Sequence, residues 1–411
     1  MILLRRLVVF ALAITATAVS QPKQMPACGA QCLSTGLTAS SCDPKDAPCI
    51  CQDDILQSNV STCVVMSCTI KEALLARNMS STMCQLPVRD ISDITPNITS
   101  VFMSLGIVAT FMRCLQFKKH FGAEDIFAVL ALLAAVAMGA LEYPMAKDGM
   151  GRDIWTIEPE NISRIIKFTW IVEMLYIAIM SWIKLAFLCL YLRIFPNEGL
   201  RKVIFVLMAL VSGFFFAFLI GIALNCIPVS HIWTGWTGET EGECLNFNSF
   251  GIACSVINIA LDLAVIGLPL REIQKLSLSL AKKLLLMGMF GAGFFITIVS
   301  ILRLKVVIDF ANTTNATYDN VPTAYWSVIE CFSAVICVNM PAIRRVFKKL
   351  TASCFGTTET ESYHDPSDSP VRVMKRRATE LSILKTVNTS VHSERRCDES
   401  DKVQLVERNK T

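Results

Sequence analysis

The stretch IIKFTWIVEMLYIAIMSWIKLAFLCLYLRIFP, from Ile165 to Pro196, decides the fold. It is almost unbroken apolar sequence, and roughly 20 such residues suffice to cross a bilayer core of about 30 Å as a helix. Within it stand Glu173, Lys184 and Arg193, and it stops at Pro196. An ionisable side chain inside hydrocarbon must find a partner or a wet cavity, so a spanning helix that keeps several is expected to be functional. The other hydrophobic segments read as its neighbours. They lie at about 98–117, 124–144, 203–224, 248–270, 284–308 and 322–340, which makes 165–194 the third of seven.

Composition agrees with a membrane bundle. Hydrophobic residues make up 53% and charged residues 18% of the chain, whereas a soluble domain carries about 25% charged residues. A net charge of +4 gives no reason to expect a nucleic-acid partner. The histidines, His120, His231, His364 and His392, are scattered. No nucleophile–base set, metal-ligand cluster or phosphate loop appears, so no enzyme is expected.

Two independent signals orient the chain. Lys118, Lys119 and His120, then Arg201 and Lys202, then Arg271, Lys275, Lys282 and Lys283, then Arg344, Arg345, Lys348 and Lys349 all fall in alternate connections, while 234–246 and 309–321 lack Lys and Arg. That is the positive-inside pattern, with the N-terminus outside and the C-terminus in the cytoplasm. Glycosylation sequons at Asn59, Asn78, Asn97, Asn161, Asn312 and Asn315 fall on the outer side, and only Asn388 falls inside. The expected location is the plasma membrane, crossed several times.

The first 20 residues, MILLRRLVVFALAITATAVS, have a basic start, a short apolar core and small residues before Ser20, which reads as a secretory signal peptide. Of the 17 cysteines, eight precede residue 85: Cys28, Cys32, Cys42, Cys49, Cys51, Cys63, Cys68 and Cys84. Crowding of this kind in so short a segment is a disulfide framework formed in an oxidising compartment. Four bridges among eight cysteines leave about 105 pairings open. Cys226 and Cys244 flank one outer loop and are expected to close it. From Leu350 the chain is polar and reads as a disordered tail, preceded by a short basic amphipathic helix, Pro341–Leu350, at the cytoplasmic leaflet.

The C-x3-C, C-x-C and C-x4-C spacings resemble the CFEM domain of fungal extracellular membrane proteins, here over residues 21–90. The resemblance implies bridges Cys28–Cys68, Cys32–Cys63, Cys42–Cys49 and Cys51–Cys84 around a basket of helices. It also implies a haem site in which Asp46, three residues before the C-x-C, is the axial iron ligand. Further on, KLAFLCLYLRIFP (184–196), CIPVSHIW (226–233), NIALDLAVIGLPLREIQKL (258–276), IVSILRL (298–304) and WSVIECFSAVICVNMP (326–341) resemble the fungal rhodopsin-like heptahelical family. That family is regarded as G-protein-coupled-receptor-like and is implicated in surface sensing and host infection. The fold expected is all-α: a disulfide-stapled helical module, then a seven-helix bundle over 98–349. Residues 325–340 contain no lysine, so no retinal Schiff base is expected. The third span ends YLRIFP and the seventh NMP, which departs from the motifs of animal receptors.

Placed by depth, Glu173, Arg303 and Glu330 fall in the outer half or near the middle, Glu142 near the outer edge, and Lys184 with Asp262 in the inner half. Lys184 is expected to pair with Asp262, as glue or as a two-state lock, and Arg303 to face Glu173 or Glu330 beside an outward polar pocket. Gly288, Gly291 and Gly293 are expected to permit close helix contact. The reading is a receptor that binds an extracellular ligand and acts on a G protein or another cytoplasmic effector. The alternative is a haem- or iron-acquiring, host-contacting surface protein, with the bundle as its anchor in membrane lipid.

Overall fold

The computed structural model describes residues 24–116, 121–268, 280–310 and 313–355. The signal segment, Lys118–His120, Arg271, Lys275, Asn312, Asn388 and the tail beyond Phe355 lie outside the described residues.

The cysteine-rich module folds as four helices, α1 (Ala27–Thr38), α2 (Ala47–Gln52), α3 (Asp54–Ser67) and α4 (Ile70–Met83). Local sequence sets where they begin. Asp53 accepts the Ile55 and Leu56 amides at the start of α3, and Thr69 with Glu72 forms a reciprocal capping box on α4. The apolar core is slight, two clusters built on Cys32, Val64 and Ala76 and on Cys42, Ile50 and Leu56. A core that small holds a fold only with staples. They are Cys28–Cys68, Cys32–Cys63, Cys42–Cys49 and Cys51–Cys84.

Among the described residues seven long helices follow: α5 (Ile94–Cys114), α6 (Ala123–Asp148), α7 (Pro159–Ile194), α8 (Glu198–Ala223), α9 (Phe247–Gly267), α10 (Leu280–Phe310) and α11 (Val321–Phe355). Among the described residues six segments are long and apolar enough to cross a membrane, on α5, α6, α7, α8, α9 and α11. The remaining long helix, α10, packs against α9. Helix α7, which holds the apolar stretch from Ile165, is the axis of the bundle. Its apolar window is 67% buried, against 22% for α8, and it touches α6, α8 and α9. Small side chains let α6 approach closely: Ala128, Ala131 and Ala135 are fully buried. Pro159 starts α7 at a position where no amide is needed, and Pro196 follows its end.

Cys226 and Cys244 are bridged and sit opposite each other in a short antiparallel pair, β1 (Cys226–Ile227) with β2 (Glu243–Cys244). The loop so closed stands at the end of the bundle that carries the module.

Two expectations need correcting. The basic segment from Pro341 is not a separate surface helix, because α11 continues through the proline to Phe355. A proline inside a helix removes one amide donor, and a spanning helix tolerates this where neighbours supply others. On either side of the proline, Arg113 Nη1 donates to the Val338 carbonyl and Gln116 Nε2 to that of Ala342. Of the three glycines on α10, Gly293 alone makes the close contact. A Cβ there would lie 3.0 Å from Ile266 Cγ1, whereas at Gly288 and Gly291 it would meet open space.

Gly151 ties the module linker to the bundle. Its φ is +101°, and a Cβ would come within 2.6 Å of Ser92 backbone. Its carbonyl accepts from Ile91 and its amide donates to Thr317. Gly151→Ala is therefore expected to lower the Tm of the purified protein, at a cost of about 1–3 kcal/mol. An unchanged Tm would mean the linker is free of that turn. In α4 the Thr69 amide and hydroxyl hold Glu72 below the usual carboxylate range. A lowered folded-state pKa stabilises above the unfolded value and is lost on acidification. The Tm gap between wild type and Glu72→Gln should therefore close as pH falls below about 4.

Candidate functional site

A cavity of about 540 Å³ opens at the module end of the bundle. Its walls are apolar, with Ile162, Ile165 and Trp170 from α7, Phe250 from α9 and Val307 from α10. The disulfide-closed loop roofs it with His231, Trp236 and Leu245. Hydrogen bonds fix the indoles, Trp170 Nε1 donating to the Ile222 carbonyl and Trp236 Nε1 to Ser163 Oγ, both at 2.9 Å. Glu173, Ser255 and Arg303 line its deep end.

Below that floor the buried polar side chains form one connected chain. Arg303 Nη2 lies 3.5 Å from Glu173 Oε2, and Arg303 Nε donates to Ser327 Oγ at 2.8 Å. Its guanidinium sits over the Tyr176 ring, 4.0 Å from the centroid. Tyr176 donates its hydroxyl proton to Glu330 Oε2 at 3.0 Å, and Ser300 Oγ contacts the other oxygen of Glu330. Asn258 Nδ2 lies 3.5 Å from the Tyr176 hydroxyl, while Asn258 Oδ1 accepts from Lys184 Nζ at 2.7 Å. Lys184 Nζ is 2.8 Å from Asp262 Oδ1. Lys184 is 2% and Glu330 0% exposed, so both are buried within the bundle. A charged residue alone at the centre of a spanning helix costs about 2.5–3.5 kcal/mol on the insertion scale, which is the reason for such pairing. The chain runs from the cavity floor through α7, α9, α10 and α11.

At the opposite end a second set ties helix ends together. Arg113 Nε meets Asp125 Oδ1 and Arg193 Nη1 meets Glu124 Oε1, both at 2.5 Å. Asn339 Nδ2 donates to Thr110 Oγ1 at 2.8 Å. The sequence reading named Arg193 but neither its partner nor Arg113 with Asp125. Adjacent acids at the start of α6, set against arginines ending two other spans, were the signal available.

The module rests on the bundle through named contacts. Lys71 Nζ pairs with Glu239 of the cavity's roof loop at 2.7 Å, Arg77 stacks over Trp155, and Arg89 pairs with Asp153 at 2.5 Å. Between module and bundle lies a second cavity of about 600 Å³, with Leu33, Val60 and Leu74 on one side and Trp155 and Asn315 on the other. Asn315 corrects the glycosylation reading. It is buried, its Nδ2 donates to Asp153 Oδ1 at 2.7 Å and its Oδ1 accepts from the Ile154 amide. Asn59 and Asn97 are exposed, and Asn78 and Asn161 half-buried.

Haem at Asp46 does not fit this arrangement. Asp46 is exposed, its carboxylate accepts the Cys49 amide as the cap of α2, and it lines neither cavity. Ile50 and Leu56, the buried apolar side chains that follow it, are spent in the module's own core. Asp46→Ala is accordingly expected to leave haem absorption of the purified protein unchanged while costing about 1 kcal/mol as a lost cap. Loss of a Soret band in that variant would contradict the assignment. For the core, Lys184→Asp and Asp262→Lys each leave a buried charge uncompensated, a loss of about 3–5 kcal/mol. The double exchange should recover most of the lost folded yield in detergent, and no recovery would count against the pairing.

Comparison with known proteins agrees with both parts of the chain. The fungal rhodopsin domain matches residues 109–349 and the CFEM domain residues 21–85. A SAT4 family membrane protein of Emericella nidulans is 29% identical over 231 residues, 55% of this chain and 55% of the relative. Wortmanamides biosynthesis cluster protein C of Talaromyces wortmannii is 27% identical over 249 residues, 59% of this chain and 67% of the relative. Fugralins biosynthesis cluster protein 2 of Gibberella zeae is 24% identical over 239 residues, 56% of this chain and 59% of the relative. The chain thus spans little more than half the length of the first of these relatives. No solved structure matches. With a bundle of apolar helices behind a disulfide-stapled module, and the fungal rhodopsin domain covering more than half its length, the chain belongs to the fungal rhodopsin-like membrane protein family and carries an amino-terminal CFEM domain.

Proposed function

We propose that this protein is a non-enzymatic cell-surface receptor of the plasma membrane, with the module outside and the basic end of α11 in the cytoplasm. The cavity under the Cys226–Cys244 loop takes an extracellular small molecule, and the buried polar chain passes its effect toward the ion pairs at the other end. One observation carries this reading: the cavity's deepest side chains, Glu173 and Arg303, begin a connected run of polar contacts that reaches Asp262. A purely structural bundle has no need for a cavity that ends on such a network. Concave, largely apolar sites with a few converging polar groups are where small ligands bind. Asp46, which the haem-acquisition alternative needs, lines neither of the two cavities described. Host contact through the module is compatible with either role.

In this reading the Arg193–Glu124 pair holds the effector-facing end in its resting arrangement, and a G protein or another effector meets that end. Arg193→Gln removes a pair worth about 1 kcal/mol, which shifts a two-state balance by roughly fivefold. The variant is expected to raise basal cyclic-nucleotide or kinase signalling at unchanged surface abundance. Unchanged basal and stimulated signalling at equal abundance would sink the receptor reading.

A further inference from the structure

Glu173 is the accessible end of the buried polar chain. It lines the deep end of the cavity with its side chain 24% exposed, against 6% for Arg303. The ion pair between them is long, with Arg303 Nη2 3.5 Å from Glu173 Oε2, and none of the described residues makes a hydrogen bond to the Glu173 carboxylate. Arg303 is committed elsewhere, donating to Ser327 Oγ at 2.8 Å and lying over the Tyr176 ring. A carboxylate set among apolar walls calls for donors, and the strongest are charged ones.

The balance of charge points the same way. The connected chain holds three acids, Glu173, Glu330 and Asp262, and two bases, Arg303 and Lys184. Lys184 is matched by Asp262. Arg303 is then left to serve both Glu173 and Glu330, and the chain is one positive charge short. The loop over the cavity adds to this bias, since Glu239, Glu241 and Glu243 are exposed and 234–246 contains no Lys or Arg. A mouth of one sign raises the local concentration of ions of the other. Trp170 and Trp236 line the walls with their indole N–H groups already bonded. What they offer a ligand is the aromatic ring, which attracts cations.

We propose that the cavity binds an organic ammonium ion with an apolar body, its N–H groups donated to the Glu173 carboxylate. The inference rests on the receptor reading above and names its ligand class. The apolar body lies against Ile165, Phe250 and the two indoles. An anion would meet the Glu173 carboxylate at the floor and the acidic loop at the mouth. A neutral alcohol bonds to Glu173 but leaves the charge of the chain unbalanced. The volume, about 540 Å³, suits a small organic molecule.

The full chain in nanodiscs of zwitterionic phosphatidylcholine, with empty nanodiscs as the reference, can be titrated at neutral pH with three probes on one ring system: tryptamine, tryptophol and indole-3-propionate. Binding is read by saturation-transfer NMR and by the shift in Tm. Tryptamine is expected to bind about tenfold or more tighter than tryptophol, the difference between a charged and a neutral donor to a carboxylate, and the acid weakest of the three. Glu173→Gln should bring tryptamine to within about threefold of tryptophol, whose own affinity changes little. Trp236→Leu, on the roof loop and apart from the buried charges, locates the site should Glu173→Gln fold poorly, and it should weaken tryptamine severalfold. Tightest binding by the acid, equal binding of amine and alcohol (the outcome if a proton on Glu330 balances the chain), or no binding by any probe would overturn the ligand class. So would a preference for the amine that survives Glu173→Gln, or an affinity for it that Trp236→Leu leaves unchanged. Those results bear on the ligand's charge and place, whereas the receptor reading stands or falls separately on Arg193→Gln.

Discussion

Ionised side chains in hydrocarbon are tolerated only when they satisfy one another, and this constraint organises the molecule. Lys184 stands in the middle of the most buried helix, and its ammonium is held by Asp262 and Asn258 from α9. Removing either partner would leave a charge with no water to reach, so α7 and α9 are held in one register. Glu330 imposes a like condition on α7, α10 and α11 through Tyr176 and Ser300. Apolar packing fills the space between helices, but it is weakly directional between surfaces that are as oily as lipid. The polar chain supplies the direction.

The same chain links what would otherwise be separate features. The cavity ends on Arg303, Arg303 lies on Tyr176, and Tyr176 stands between Glu330 and Asn258. At the module end the roof loop belongs to both parts, since it lines the cavity with Trp236 and pairs with the module through Glu239. The module is thereby in contact with the cover of the cavity, and a second cavity lies between the two. An exposed pair such as Lys71–Glu239 contributes little to stability, about 0–1 kcal/mol, and suits a joint that can open.

Much of the fold was legible because its signals are of the strong kind: long apolar runs, charge asymmetry between loops, and a cysteine spacing that few modules share. Lys184, Asp262, Arg303 and Glu330 could be named for the same reason, since a charge in an apolar run stands out. Tyr176 and Asn258 could not. Neutral polar residues in spans are common, and only the three-dimensional meeting of α7 with α9 makes them links. The continuation of α11 through Pro341 was hidden because Arg113 and Gln116, which donate to carbonyls on either side of the proline, lie more than 200 residues earlier, at separations of 225 and 226. Asn315 satisfied the glycosylation pattern locally while its amide was committed to Asp153, a contact 162 residues away. The cavity itself has no linear signature, being assembled from five long helices and the loops between them.

The central claim is that the polar side chains from the cavity floor to Asp262 act as one unit. A double-mutant cycle between Glu330→Gln and Asp262→Asn, read by unfolding of the purified protein in detergent, tests it most directly. These residues share no direct bond and are linked through Tyr176 and Asn258, the latter bonding both Lys184 and Asp262. A linked network predicts a coupling of about 1 kcal/mol or more. Effects that simply add, to within about 0.5 kcal/mol, would contradict it.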